Sequence, residues 1–269
     1  MTVPLINFEV CQAEAIGVDT STTSGVTFTT SGSANTKSSY AQIIASTAVD
    51  ISWLILSVRQ SSASSSFHAM AFDIAIGGSG SEVDIIKNVV FSWPAGDPGN
   101  GTIALPIQIP AGTRVSYRVQ DSSPGSTFVL ALYGFTGNFG HISSYESIGF
   151  DAANTRGTET NLSGTANVAG SWVQLSASTG KDYAGLFVVV DTQDINTSAR
   201  FLIEIGIGGS GSEVAILSFL ASINNGMSAS WFGFVPIVIK AGTRIAVRAT
   251  AHDTTLFAKP RVTFYGAVG

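Results

Sequence analysis

Trp53, Ile55, Ser57 and Arg59 alternate along the chain with Leu54, Leu56 and Val58. Val115, Tyr117 and Val119 alternate with Arg114, Ser116, Arg118 and Gln120, and Ile245, Val247 and Ala249 with Arg244, Ala246 and Arg248. Phe201, Ile203, Ile205 and Ile207 share one face. A period of two marks strands with one buried side, because successive side chains point to opposite faces. No stretch sustains a 3.6-residue period with caps, so no helix is predicted. β-Branched and aromatic residues fill the periodic segments, and Gly, Ser, Asn and Pro separate them. The pattern predicts strands near 26–30, 39–46, 51–60, 68–77, 82–92, 102–109, 114–121 and 126–134. A second set is predicted near 158–162, 171–178, 183–191, 199–208, 213–221, 228–239, 243–251 and 259–266. Eight short strands in about 125 residues point to a sandwich, and Greek-key returns would make it a jelly roll.

The second set exists because the chain repeats itself. Ile76-Gly77-Gly78-Ser79-Gly80-Ser81-Glu82-Val83 returns as Ile207-Gly208-Gly209-Ser210-Gly211-Ser212-Glu213-Val214. Ala111-Gly112-Thr113-Arg114 returns as Ala241-Gly242-Thr243-Arg244, and Leu132-Tyr133-Gly134 corresponds to Phe264-Tyr265-Gly266. Upstream, Glu14, Ile16, Gly17, Asn35 and Gln42 align with Glu146, Ile148, Gly149, Asn167 and Gln174. The spacing drifts by one or two residues and recovers, as small loop insertions would cause. A repeat this long is the size of a domain rather than of a solenoid unit. The expected organisation is an N-terminal arm (1–12), a first β-sandwich (13–137), a linker (138–144) and a second β-sandwich (145–269). The fold class expected is all-β, two tandem homologous antiparallel sandwiches of jelly-roll type. Duplication of everything suits a building block better than an enzyme, whose catalytic residues need appear only once.

Composition narrows the picture. Charged residues make up 12 % of the 269, about half the usual share, while 45 % are hydrophobic. No apolar run is long enough for a membrane helix, and Met1-Thr2-Val3-Pro4-Leu5 does not read as a secretion signal. A soluble chain of this kind keeps its surface wet with hydroxyls and hides part of it in an assembly, because interface cores are depleted in charge. Net charge is −5 and the 13 basic residues are scattered, so a nucleic-acid partner is not expected. A single cysteine, Cys11, allows no intrachain disulfide and reads as a buried small hydrophobe.

Candidate chemistry is sparse. The Gly-Gly-Ser-Gly-Ser-Glu segment lacks the Lys-Ser/Thr ending and the helix of a phosphate loop, so it predicts a hairpin turn with positive-φ glycines. Glu82 and Glu213 would be the acidic ligands of a divalent ion at that turn, but no Asp-x-Asp spacing supports one. No metal and no cofactor are therefore expected. The repeated Arg114 and Arg244 read as partners for a carboxylate, with a ligand contact as the alternative. His68, His141 and His252 have no zinc spacing and no counterpart in the other copy, and read as surface or loop residues. Gly77 to Ser81 misses the nucleophile-elbow pattern, and nothing marks a pair of glycosidase carboxylates, although Asp73 and Glu204 are equivalent. No enzyme activity is expected. Tyr40 and Trp172 occupy matching positions and read as core fillers. Trp93 and Trp231, with Asn100 and Asn224 nearby, fall where the copies diverge and are the candidates for contact with a partner or a glycan.

Ser33-Ala34-Asn35-Thr36-Lys37, the stretch from Thr47 to Leu54, Ile74 to Val83 and Pro106 to Arg114 resemble a group of β-rich proteins of tailed bacteriophages. The resemblance covers nearly the whole chain in both copies. It implies a virion component: a capsid decoration protein or a head or tail fibre part, assembled in the bacterial cytoplasm. It implies no catalytic residues. The expected partners are the chain itself, as a homo-oligomer with a trimer favoured, and other virion proteins. The competing expectations are a carbohydrate-binding adhesin that grips host-surface glycan and a double jelly-roll capsid shell protein. The arm 1–12 is the expected docking or exchange segment.

Overall fold

The computed structural model describes residues 12–18, 25–60, 67–93, 99–137, 142–191, 199–223, 229–252 and 259–269, with backbone only at 199, 223 and 229–232. These residues form strands and no helix. The first copy contains β1 (Ala13–Ile16), β2 (Val26–Thr29), β3 (Ala41–Ile44), β4 (Ile51–Gln60), β5 (His68–Ile76), β6 (Val83–Trp93), β7 (Asn100–Ile109), β8 (Val115–Asp121) and β9 (Thr127–Phe135). The second contains β10 (Ser144–Ile148), β11 (Phe150–Asp151), β12 (Arg156–Glu159), β13 (Val173–Ser176), β14 (Gly185–Asp191), β15 (Ala199–Ile207), β16 (Val214–Ile223), β17 (Ala229–Val235), β18 (Ile245–Ala251) and β19 (Arg261–Val268).

The pairing order is that of a jelly roll, written twice. In the first copy β1 and β2 pair with β9, β3 with β8, β4 with β7 and β5 with β6, all antiparallel. This is one long hairpin, wrapped so that its arms lie in two facing sheets, β1-β9-β4-β7 and β3-β8-β5-β6. In the second copy β10 and β12 pair with β19, β13 with β18, β14 with β17 and β15 with β16. The facing sheets are β10-β19-β14-β17 and β13-β18-β15-β16.

Alternation places the core. Leu54, Leu56 and Val58 of β4 are fully buried between the sheets, against Phe72, Ile74, Val115 and Val119 from the facing sheet. In the second copy Val188 and Val190 face Phe201, Ile203, Ile205 and Val247. Short β1, β10 and β11 were not legible as strands. In Ala13-Glu14-Ala15-Ile16 only Ile16 is buried, so no alternation is visible; the strand exists because β9 offers it a free edge.

The copies are joined by more than a linker. β10, the first strand of the second copy, lies beside β6 in a parallel pairing of Tyr145 with Ile86. One sheet thus runs from β3 of the first copy through β6 and β10 into β19 and β14 of the second. The first core cluster also takes in Tyr145, Phe187, Val189, Tyr265 and Ala267 of the second copy.

Candidate functional site

The residues that recur in both copies converge on the same end of each sandwich, and they hold each other. The Gly-rich segments are the β5–β6 and β15–β16 turns. Gly77 and Gly80 take φ of 109° and 84°, and Gly208 and Gly211 take 117° and 83°, values that L side chains rarely adopt. Glu82 folds back to accept a hydrogen bond from the Gly80 N–H at 2.8 Å, and its other oxygen pairs with Arg114 Nη1 at 3.1 Å. Arg114 also donates to the Gly77 carbonyl and to Gln42 Oε1. The second copy repeats each contact: Glu213 with Gly211 N at 2.9 Å and Arg244 at 2.8 Å, Arg244 with Gly208 O and Gln174. The Glu82 carboxyl is held below its usual range by its own backbone N–H, despite some burial, with Arg114 and Gly80 adding to this. At Glu213 burial pushes upward but is outweighed by the backbone N–H groups and Arg244. Glu82 and Glu213, weighed above as metal ligands, are thus committed to arginine and backbone. Among the described residues no three His, Cys, Asp or Glu side chains gather as a metal site.

The neighbouring turn is equally self-contained. Thr47 Oγ1 donates to the Pro110 carbonyl and accepts from Thr113 N, and Thr179 does the same with Lys240 and Thr243. Asp50 and Asp182 accept from the N–H of Ala111 and Ala241, each at 2.8 Å. Asn35 and Asn167 take left-handed φ of 55° and 59°.

A second cluster lies on the exposed side of β5 and β8. Asp73, fully buried, accepts from Lys37 Nζ, from Arg118 Nε at 2.7 Å and from Asn88 N at 2.8 Å. Asp84 accepts from Arg118 Nη2 at 2.9 Å and from the Tyr40 hydroxyl. Burial lowers the Lys37 pKa, and burial with the Asp84 hydrogen bond raises that of Tyr40. With the exposed Lys87 3.8 Å from Asp84, two carboxylates meet three cations, and every carboxylate oxygen is engaged. The second copy keeps a reduced version: Arg248 pairs with Glu204 at 2.6 Å and lies over Trp172 at 4.5 Å, as Arg118 lies over Tyr40 at 4.5 Å. Tyr40 and Trp172 are therefore half-exposed platforms for an arginine rather than core fillers.

The expected contact residues fare differently. Trp93 is 5 % exposed at the end of β6, stacked between Phe91 and Phe128, and its Nε1 donates to the Asn100 carbonyl at 3.0 Å. Contrary to the sequence expectation, it presents no ring face to a glycan or a partner, because Phe91 and Phe128 stack on it. Asn100 opens β7 and is exposed. The Trp231 backbone pairs with Val189 in β17, while its side chain and all of Asn224, Cys11 and His141 lie outside the described residues. His252 is exposed, but His68 is not the surface residue expected: it is 1 % exposed, with Nδ1 2.9 Å from Asp121 Oδ2 and Nε2 3.4 Å from Ser126 Oγ. The connection order is that of a hydrolytic triad. His68 and Asp121 are buried, with the imidazole edge-on to Phe128 at 5.4 Å, while Ser126 is half-buried and its contact with Nε2 is long. Burial raises the Asp121 carboxyl.

Sequence reasoning missed the joint between the copies. Tyr265, fully buried, stacks on Phe187 at 4.3 Å, and Phe187 meets Tyr145 edge-on at 5.4 Å. The Tyr265 hydroxyl donates to the Asn88 carbonyl at 2.6 Å and accepts from Val90 N at 3.0 Å, capping the outer edge of β6. The Tyr145 hydroxyl donates to the Pro106 carbonyl. Asp191 accepts from Ser92 and pairs with Arg156, and Gln120 donates to Thr155. The signal was the repeated Tyr-Gly at 133–134 and 265–266, whose outward-facing tyrosine core patterning does not explain.

No protein-family model matches the chain, and no curated protein sequence matches it. Among solved structures it is similar to the tandem CBM22 domains of Xyn10C from Paenibacillus barcinonensis (10 % identity, 96 % of this chain and 91 % of that one, TM-score 0.29). It is also similar to an archaeal virus protein with a triple jelly-roll fold and turret assembly (14 % identity, 97 % and 59 %, TM-score 0.28). A third is infectious bursal disease virus, Gx strain (8 % identity, 99 % and 74 %, TM-score 0.26). At such scores these likenesses do not bear on what this chain does. Its class stands on its own strands: an all-β protein of antiparallel, jelly-roll-ordered sheets.

Proposed function

We propose that the chain is a non-enzymatic structural protein of a virus particle, a decoration or fibre component of a tailed bacteriophage, acting as a homo-oligomer. One observation carries the reading. The residues present in both copies, Glu82 with Glu213, Arg114 with Arg244 and Gln42 with Gln174, are used to brace their own turns. A duplicated catalytic or metal site would leave these repeated polar side chains free of one another. Jelly rolls are a fold of capsid and lectin domains, which suits a structural or binding role by analogy of fold. The bacteriophage assignment rests on the resemblance of the repeated segments. The glycan-binding alternative loses Trp93 as a stacking platform. In this reading the arm 1–12 docks the protein on the particle. The test is co-sedimentation with purified particles. The full chain is expected in the particle fraction and a chain lacking residues 1–12 in the supernatant, still folded. A truncated chain that sediments as the full one does would remove the arm's role, and a full chain absent from particles would remove the assignment.

A further inference from the structure

The internal joint has two sides, and each has an exposed counterpart in the other copy. The receiving side is the outer edge and outer face of β6. Register against β5 and β15 equates Val90, opposite Ala71, with Leu220, opposite Leu202. Val90 is 0 % exposed beneath the second copy, whereas Leu220 is 75 % exposed. β16 ends its sheet, with no strand beyond it among the described residues. Val83 and Val214, at the starts of the two strands, are alike at 62 % and 66 % exposed, so the contrast lies at Leu220.

The docking side is the outward face of the β10-β19-β14 sheet. Pairing in the two copies equates Tyr265 with Tyr133, Phe187 with Ile55 and Ala267 with Phe135. Tyr265 is 0 % exposed and its hydroxyl bonds β6, whereas Tyr133 is 37 % exposed and its hydroxyl has no hydrogen-bond partner among the described residues. Ile55 and Phe135 beside it are half-buried. β1, the counterpart of β10, ends its sheet with β9 as its neighbour.

We propose that the chain assembles head to tail through a second version of its own joint, the face around Tyr133 of one molecule docking on the β16 edge of the next. This deepens the homo-oligomer reading above and rests on it, though not on the phage assignment. The occupant is a second copy because the chain already shows what this kind of face binds: the edge strand of its own neighbouring copy. Contact between unlike surfaces generates rings where the rotation closes and open filaments where it does not.

The second joint is the weaker of the two. Ala13 stands where Tyr145 does and Ser57 where Val189 does. β6 also has a pairing irregularity beside Asn88, which takes a left-handed φ of 54°, and β16 pairs without a shift at that level. The hydroxyl clamp is therefore not pre-shaped on β16, and apolar contact between Tyr133, Ile55, Phe135 and Leu220 carries the association. It also lacks the covalent tether that gives the internal joint its high effective concentration, so assembly depends on protein concentration.

The test uses two capped full-length variants, Leu220→Asp and Tyr133→Asp, with Ala13→Arg as a substitute at the same face if Tyr133→Asp does not fold. Circular dichroism checks folding and light scattering reads mass. Each variant alone is expected at the 27.8 kDa monomer mass. An equimolar mixture is expected to form one-to-one dimers and nothing larger, because each dimer has one intact joint and two dead ends. A mixture that stays monomeric overturns the proposal. So does Leu220→Asp dissociating a dimer that Tyr133→Asp leaves intact, the sign of edge-to-edge symmetric pairing. So does a glycan, rather than a second chain, being what Tyr133→Asp ceases to bind. If the mixture fails while the full chain still sediments with particles, the joint falls and the virion reading stands. If the dimers form and no particle takes up the chain, the reverse holds.

Discussion

At the scale of the residue, the chain spends its few charges on closing its own turns. Glu82 and Glu213 are the clearest case, since each joins a turn amide to an arginine just ahead of a neighbouring strand. A carboxyl whose pKa is lowered on folding contributes stability above its ordinary pKa, and that contribution is lost as pH falls through the lowered value. The melting temperature is therefore expected to drop on acidification below about pH 4.5, the ordinary glutamate range. The Glu82→Gln, Glu213→Gln double variant should start lower at pH 7 and show a smaller drop. An unchanged drop in differential scanning calorimetry would mean that these carboxylates do not carry the acid sensitivity. Trp93 makes the opposite point, a residue whose neighbourhood decides its role. Trp93→Ala removes a ring packed between Phe91 and Phe128 and should cost about 3–5 kcal/mol in urea unfolding, whereas a surface contact residue would cost less than about 0.5 kcal/mol.

At the scale of the element, the device to explain is the protected edge. An edge strand exposes a row of unpaired amides and carbonyls that invites other chains. In β6 that row is closed by the Tyr265 hydroxyl, which serves both the Val90 amide and the Asn88 carbonyl. Tyr265→Phe keeps the ring stack on Phe187 and removes both bonds, leaving two buried polar groups unserved. The expected loss is about 1–3 kcal/mol in urea unfolding, and a loss near zero would show that the edge has another cap. The strands themselves were legible where alternation was strong: β4, β5, β8 and β18 begin and end within two residues of the expected positions. β1 and β10 were not: β1 buries only Ile16, and β10 buries Tyr145 and Ile148, whose spacing of three is no period of two. Strand order was not legible either. It depends on which distant segments meet, and the repeated motifs mark turns, not partners. Trp93 was misjudged because its place where the copies diverge was read as exposure, whereas it packs on Phe91 and Phe128 of its own copy. Tyr133 was passed over because period two says which residues share a face, not which face the neighbouring copy covers.

At the scale of the molecule, the duplication makes a joint inside the chain and leaves its two halves open outside. The continuous sheet through β6 and β10 and the aromatic cluster of Tyr145, Phe187 and Tyr265 make the two sandwiches one unit. The low charge of the chain, 12 % of residues, is what the proposed self-assembly calls for, since interface cores are depleted in charge. The central claim is that this unit is a building block. Light scattering coupled to size exclusion, run on the full chain over a range of concentrations, tests it most directly. The account predicts masses at integer multiples of 27.8 kDa that grow with concentration toward a closed ring or a filament. A mass fixed at 27.8 kDa across the range would contradict it.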